Sequence, residues 1–81
     1  MEAPRTVTWK DIEGIIAMAK KYVDAASVTL GEALAACKTR DVDRVWELAD
    51  KAYVNAMLGA LIADQLVKLM AESEGGAVRI E

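Results

Sequence analysis

Histidine is absent from this chain of 81 residues, and cysteine and proline occur once each, as Cys37 and Pro4. Without histidine the commonest transition-metal ligand and the commonest general base are missing. A lone cysteine forms no intrachain disulfide. Side-chain amides are reduced to Asn55 and Gln65, a depletion that fits a thermophilic source. A net charge of −3 argues against a phosphate backbone as the main partner. The opening residues Met1 to Arg5 lack the apolar stretch of a secretory signal. The longest uncharged run, Ala52 to Ala63, falls short of the roughly 20 residues a membrane span needs, so the expectation is a soluble, cytoplasmic protein.

What remains is rich in apolar residues. A composition 54% hydrophobic and 28% charged is that of a folded chain and not of a disordered one. Residues 1–81 form a single domain, and a chain this small buries only roughly 60–65% of its unfolded surface. Disulfides, metals and oligomerisation are the usual remedies for so thin a core. The first two lack their residues here, which leaves self-association.

The pattern predicts an all-α antiparallel hairpin, with helices at about 9–38 and 42–73 and tails at 1–8 and 75–81. Thr8 is placed to cap the first helix through the amide of Asp11, with Asp11 and Glu13 favoured by the positive end of the helix dipole. Lys38, Thr39, Arg40 and Asp41 read as the turn, and Gly75-Gly76 as the terminator of the second helix. Ala77 to Glu81 alternates and suits an extended tail. Ser27 to Gly31 is a poor helix former, so a kink or break near Thr29–Gly31 is the alternative to one continuous first helix.

Apolar residues recur at spacings of four and three throughout both helices. In the first they are Ile12, Ile16, Ala19, Val23, Ala26, Leu30, Ala33 and Cys37. In the second they are Val42, Trp46, Ala49, Tyr53, Ala56, Ala60, Ala63, Val67 and Met70. Alanine recurs every seventh residue in each, which suits closely packed helices. A short turn makes the neighbours antiparallel, so facing residues have numbers of constant sum. Ala33 with Ala49, Ala26 with Ala56, and Ala19 with Ala63 all total 82, a register centred on Asp41. The same register sets Tyr22 against Ala60 and Tyr53 against Thr29, and lays Trp9 near Ser73 over the open end.

The first helix has a polar outer face in Lys10, Glu13, Lys20, Lys21, Asp24 and Lys38. The second does not: between Lys51 and Asp64 it is apolar all round, and such helices are buried. Val54, Met57, Leu58, Leu61 and Ile62 therefore form the expected oligomer interface, with the middle of the second helix at the centre of a four-helix bundle. Asn55 is either a buried register-fixing residue or a solvent-facing one.

No residue set carries catalysis. Cys37 falls on the seam as a small core residue, and the carboxylates Asp11, Glu13, Asp41, Asp43, Glu47 and Asp50 are explained by first turns and solvent faces. An all-α chorismate-mutase-type hairpin requires inward-facing cations, and these seams hold no Arg or Lys. The spacing Ala52-Ala56-Ala60 and Gly59-Ala63 matches membrane helix-dimer motifs but is read as close soluble packing. The leading expectation is a non-enzymatic, homo-oligomeric interaction module, a homodimer or higher, without cofactor or metal. In architecture alone, the alanine-seamed hairpin resembles the plasmid repressor-of-primer family, dimers of such hairpins that bind RNA. That resemblance implies a nucleic-acid-associated regulatory dimer with Arg5, Lys10, Lys20 and Lys21 as its footprint, a row that Glu13 and Asp24 interrupt. An acidic antitoxin-like or adaptor subunit is the third reading that size and charge allow.

Overall fold

The computed structural model describes residues 3–81. Strand β1 (Arg5–Val7) leads into helix α1 (Trp9–Cys37), a short turn joins it to helix α2 (Val42–Glu74), and strand β2 (Val78–Ile80) follows. The helices pack antiparallel as a hairpin of 29 and 33 residues.

Local chemistry fixes each boundary. The Thr8 hydroxyl accepts from the Asp11 amide at 3.1 Å, and the Asp11 carboxylate accepts from the Thr8 amide at 3.0 Å, a reciprocal capping box. Asp41 caps α2 by accepting from the Arg44 amide at 3.0 Å. At the far end the Ala77 amide donates to the Glu72 carbonyl and the Gly76 amide to that of Ser73. This is the Schellman arrangement, and Gly76 supplies its left-handed residue at φ 83°. α1 continues unbroken through Thr29–Gly31, because the Thr29 hydroxyl donates to the Ala25 carbonyl at 2.9 Å and so satisfies itself while buried.

Hydrogen bonds from Thr8, chiefly from its backbone amide, hold the Asp11 carboxyl below the ordinary aspartate value. A depressed native pKa contributes stability that is present above the unfolded value and lost as pH falls through the native one. The thermal midpoint of the wild type is therefore expected to fall as pH drops below about 4. Part of that slope is expected to vanish in Asp11→Asn, with calorimetry at several acidic pH values as the check.

The tails pair with each other. β1 and β2 form a two-stranded parallel ribbon, with Arg5, Thr6 and Val7 beside Val78, Arg79 and Ile80. The Trp9 amide donates to the Glu81 carbonyl at 3.1 Å, locking the ribbon to the start of α1. Val78 is buried with Ile12 and Leu69, and Val7, Ile15, Leu66 and Ile80 pack around them. The ribbon thus closes the open end of the hairpin. Trp9, expected there, is instead exposed.

The buried and half-buried positions define the true register. On α1 they include Ile12, Ile15, Ala19, Tyr22, Ala26, Thr29, Ala33 and Ala36; on α2 they are Val45, Leu48, Ala52, Asn55, Gly59, Ile62, Leu66 and Leu69, with Leu58 beside them. Ile12 with Leu69, Tyr22 with Gly59 and Ala33 with Leu48 each total 81, not 82. One residue is 100° of helix, so α2 is turned by about that angle from the expected orientation. Ala19, Ala26 and Ala33 do lie toward α2. Ala49, Ala56 and Ala63 do not: they are exposed, as are Tyr53 and Cys37. The closest approach is at Gly59, where an added Cβ would stand 2.8 Å from Val23 Cγ2 and 3.2 Å from the Ala19 carbonyl oxygen. Glycine is required there by proximity to the neighbouring helix.

Gly14 has open space around the same position. Gly14→Ala is expected to stabilise by about 1 kcal/mol, the difference in helix propensity, read from the urea midpoint.

Candidate functional site

The molecule is a single layer 62 × 19 × 14 Å, whereas folded domains are normally built from at least two layers. Its radius of gyration is 18.0 Å, against about 12 Å for a compact chain of this length. It exposes 6314 Å². A compact monomer of 8.8 kDa exposes about 4,800 Å², leaving an excess of roughly 1,500 Å².

Much exposed apolar surface lies on one broad face to which both helices contribute, while Met18, Val28, Leu34, Val54, Met57 and Leu61 are exposed elsewhere. α1 supplies Ile16, Val23 and Leu30, each about half exposed. α2 supplies the whole row that the sequence suggested as its seam: Val42, Trp46, Ala49, Tyr53, Ala56, Ala60, Ala63 and Val67, with Trp46 77% and Tyr53 65% exposed. The two rows share a face because Ile16 and Val23 line one shallow groove with Ala56, Ala60 and Ala63. A second, mostly apolar hollow at the turn end is bounded by Cys37, Val42, Val45, Trp46 and Ala49 together with Arg40 and Asp41. Neither row contains a charged residue.

The strip expected from sequence lies elsewhere. Val54, Met57 and Leu61 are exposed, while Leu58 and Ile62 are half-buried beside the hairpin seam. By helical rotation Val54 and Leu61 fall on the opposite surface, where Met18 and Ile62 border a hollow with Lys10 and Gln65. Lys10 and Asp11 line that hollow, whereas Lys20 is the charged residue lining the groove on the broad face. Asn55 is half-buried within the hairpin seam, level with Ala26.

The basic residues considered for nucleic acid are partly engaged. Arg5 pairs with Glu72 at 3.5 Å and Lys20 with Asp24 at 2.7 Å. The Asp24 carboxylate raises the Lys20 pKa by accepting its hydrogen bond. Asp64 does the same for Lys68 at 2.9 Å. Among the described residues no three His, Cys, Asp or Glu side chains gather as a metal site.

One expectation about membranes needs correction. Counting only uninterrupted uncharged residues underestimates α2: the helix contains a window with mean hydropathy 1.4, so by length and composition it suffices to cross a bilayer. Two scattered charges do not lower that average as they shorten a run. Only 11% of the window is buried in the hairpin, so the apolar surface is available to a covering layer. No protein family, curated protein or solved structure matches the chain.

Proposed function

We propose that this chain is a non-enzymatic, homo-oligomeric interaction module in which a second copy covers the broad apolar face, producing a four-helix bundle that presents its tails to other components. The observation that carries this reading is the size of that face and the unbroken apolar rows that run along it. Its rows contain no charge, and the surface in excess of a compact monomer is roughly 1,500 Å² per chain. Two chains covering it remove about 3,000 Å², within the range of obligate homodimers. Aromatic anchors such as Trp46 and Tyr53 are the residue types enriched at such interfaces. The proposed surface differs from the Val54–Ile62 strip, because α2 turns Val54 and Leu61 away from the broad apolar face.

The test is mass and stability together. Sedimentation equilibrium in plain buffer is expected to return at least twice the chain mass at micromolar concentration. The thermal midpoint is expected to rise with protein concentration, as it must when folding and association are coupled. A folded monomer with a concentration-independent midpoint defeats the proposal. So does a protein that is soluble only in detergent and floats with phosphatidylcholine vesicles, the behaviour of an α2 inserted in lipid.

A further inference from the structure

We infer, resting on the homo-oligomer reading above, that the second copy lies with its α1 across α2 of the first, about a two-fold axis parallel to the helices. All four chain ends then emerge at one end of the bundle.

Within the hairpin, residues of α1 and α2 stand level where their numbers total 81. A two-fold axis along the helices leaves every level unchanged, so the register between copies follows with no adjustable shift. Val23 is level with position 58 and meets the gap between Ala56 and Ala60 of the partner subunit. Ile16, level with position 65, meets the gap after the partner's Ala63, and Leu30, level with 51, the gap after the partner's Ala49. Three aliphatic side chains, seven residues apart, thus enter three holes with the same spacing: Val23 between two alanines, Ile16 between the partner's Ala63 and the partner's Val67, and Leu30 between the partner's Ala49 and the partner's Tyr53. Large against small is what interdigitating helices require.

The charges flanking the face agree independently. Outside the row on α1 stand Lys20 and Lys38; outside the row on α2 stand Asp43, Asp50 and Asp64. Lys38 is level with Asp43 of the partner subunit. Lys20 comes within one helical turn of the partner's Asp64. Each pair is of opposite sign, and each occurs twice by symmetry. Lys20 and Asp64 already have partners on their own helices, Asp24 and Lys68, which the contact would join into one network.

The other face-to-face arrangement, a two-fold axis across the helices, lacks both features. It lays each helix on its own copy, so an axis at Val23, the middle of the α1 row, sets Ile16 against Leu30 and Val23 against itself, large against large. It also turns the row of Asp43, Asp50 and Asp64 toward itself, and like charges at helix flanks oppose pairing.

A distance between the two turns separates the arrangements. A spin label on Thr39→Cys in a Cys37→Ser background occupies an exposed turn position away from the apolar rows. The parallel axis places the two labels about 10–25 Å apart, the width of a four-helix bundle. The crossed axis places them more than about 40 Å apart, the length of α1. A short distance supports the inference, and a long one overturns it while leaving the homo-oligomer reading intact. A monomer, with no dipolar signal and single-chain mass, overturns both.

A charge exchange provides the second measurement. Lys20→Glu with Lys38→Glu, and separately Asp43→Lys with Asp64→Lys, change net charge by equal and opposite amounts. Each variant alone is expected to dissociate at least tenfold more readily than wild type, and an equimolar mixture is expected to form the heterodimer with wild-type affinity. Variants that dissociate and are not rescued by mixing overturn the arrangement.

Discussion

Ala56→Glu combined with Ala60→Glu is expected to abolish assembly and, with it, most of the helical signal. In the isolated hairpin both alanines are exposed, and glutamate is a good helix former, so the lone chain gives no reason for harm. In the proposed bundle the pair puts four carboxylates into the apolar centre. Removing each from water without a partner costs several kcal/mol, and 1.4 kcal/mol is a factor of ten in affinity. Association is therefore expected to weaken by more than about a thousandfold. Loss of helicity follows because the hairpin's own core is thin: Ile12, Leu48, Leu69 and Val78 are its only buried side chains larger than threonine among the described residues. Sedimentation and far-ultraviolet circular dichroism at the same concentration read both effects. Val54→Glu with Leu61→Glu is the matched control on the opposite surface, expected to leave mass and helicity near wild type. The reverse result, a dissociated control and an intact Ala56/Ala60 variant, would move the interface to the strip first suggested by the sequence.

Gly59→Val is expected to destabilise by about 3 kcal/mol, enough to leave a domain of this size largely unfolded at room temperature. The cause is backbone proximity. Even a bare Cβ at this site would come within 3.2 Å of the Ala19 carbonyl oxygen and 3.5 Å of Tyr22 Cβ, and valine adds two methyl groups beyond it. The helices would have to separate at their closest point, loosening Tyr22 and the buried Ala26 one turn on. Gly59→Ala is expected to lose much less. Its single carbon still forces a small shift of the stiff Val23 side chain 2.8 Å away, but lacks valine's two further methyl groups and recovers roughly 1 kcal/mol of helix propensity. Chemical denaturation of the two variants beside Gly14→Ala places the three substitutions on one scale. A Gly59→Val variant as stable as wild type would show that the helices do not approach at this point.

The helices, their caps and the turn were legible because each depends on residues near in sequence. Thr8 and Asp11 satisfy each other within one turn, and Gly75-Gly76 terminates α2 with its own amides. The hairpin register was not legible, for a specific reason. α2 carries two interleaved rows at spacings of three and four, one through Val42, Trp46 and Ala49, the other through Val45, Leu48 and Ala52. Both satisfy a constant sum with α1, so periodicity and antiparallel arithmetic do not choose between them. The structure uses the row that brings Gly59 against Ala19 and Val23 and sets Leu48 and Leu69 in the core, accepting Asn55 in the seam. The rejected row, with Trp46 and Tyr53, is the one left exposed. The surplus of apolar surface was thus legible in the sequence, while its position depended on which row the hairpin consumed. The parallel pairing of Arg5–Val7 with Val78–Ile80 spans nearly the whole chain, and neither tripeptide hints at the other.

That ribbon also determines how the molecule bears load. Its strands run in the same direction, so the chain enters at one end of the ribbon and leaves at the other. A force applied between the two termini therefore slides the strands along each other. The bonds from the Arg5 amide to Ala77, from the Glu81 amide to Val7 and from the Trp9 amide to Glu81 are strained together, whereas in a peeling geometry they would break in turn. A tether attached through its ends meets a shear clamp before the force reaches either helix.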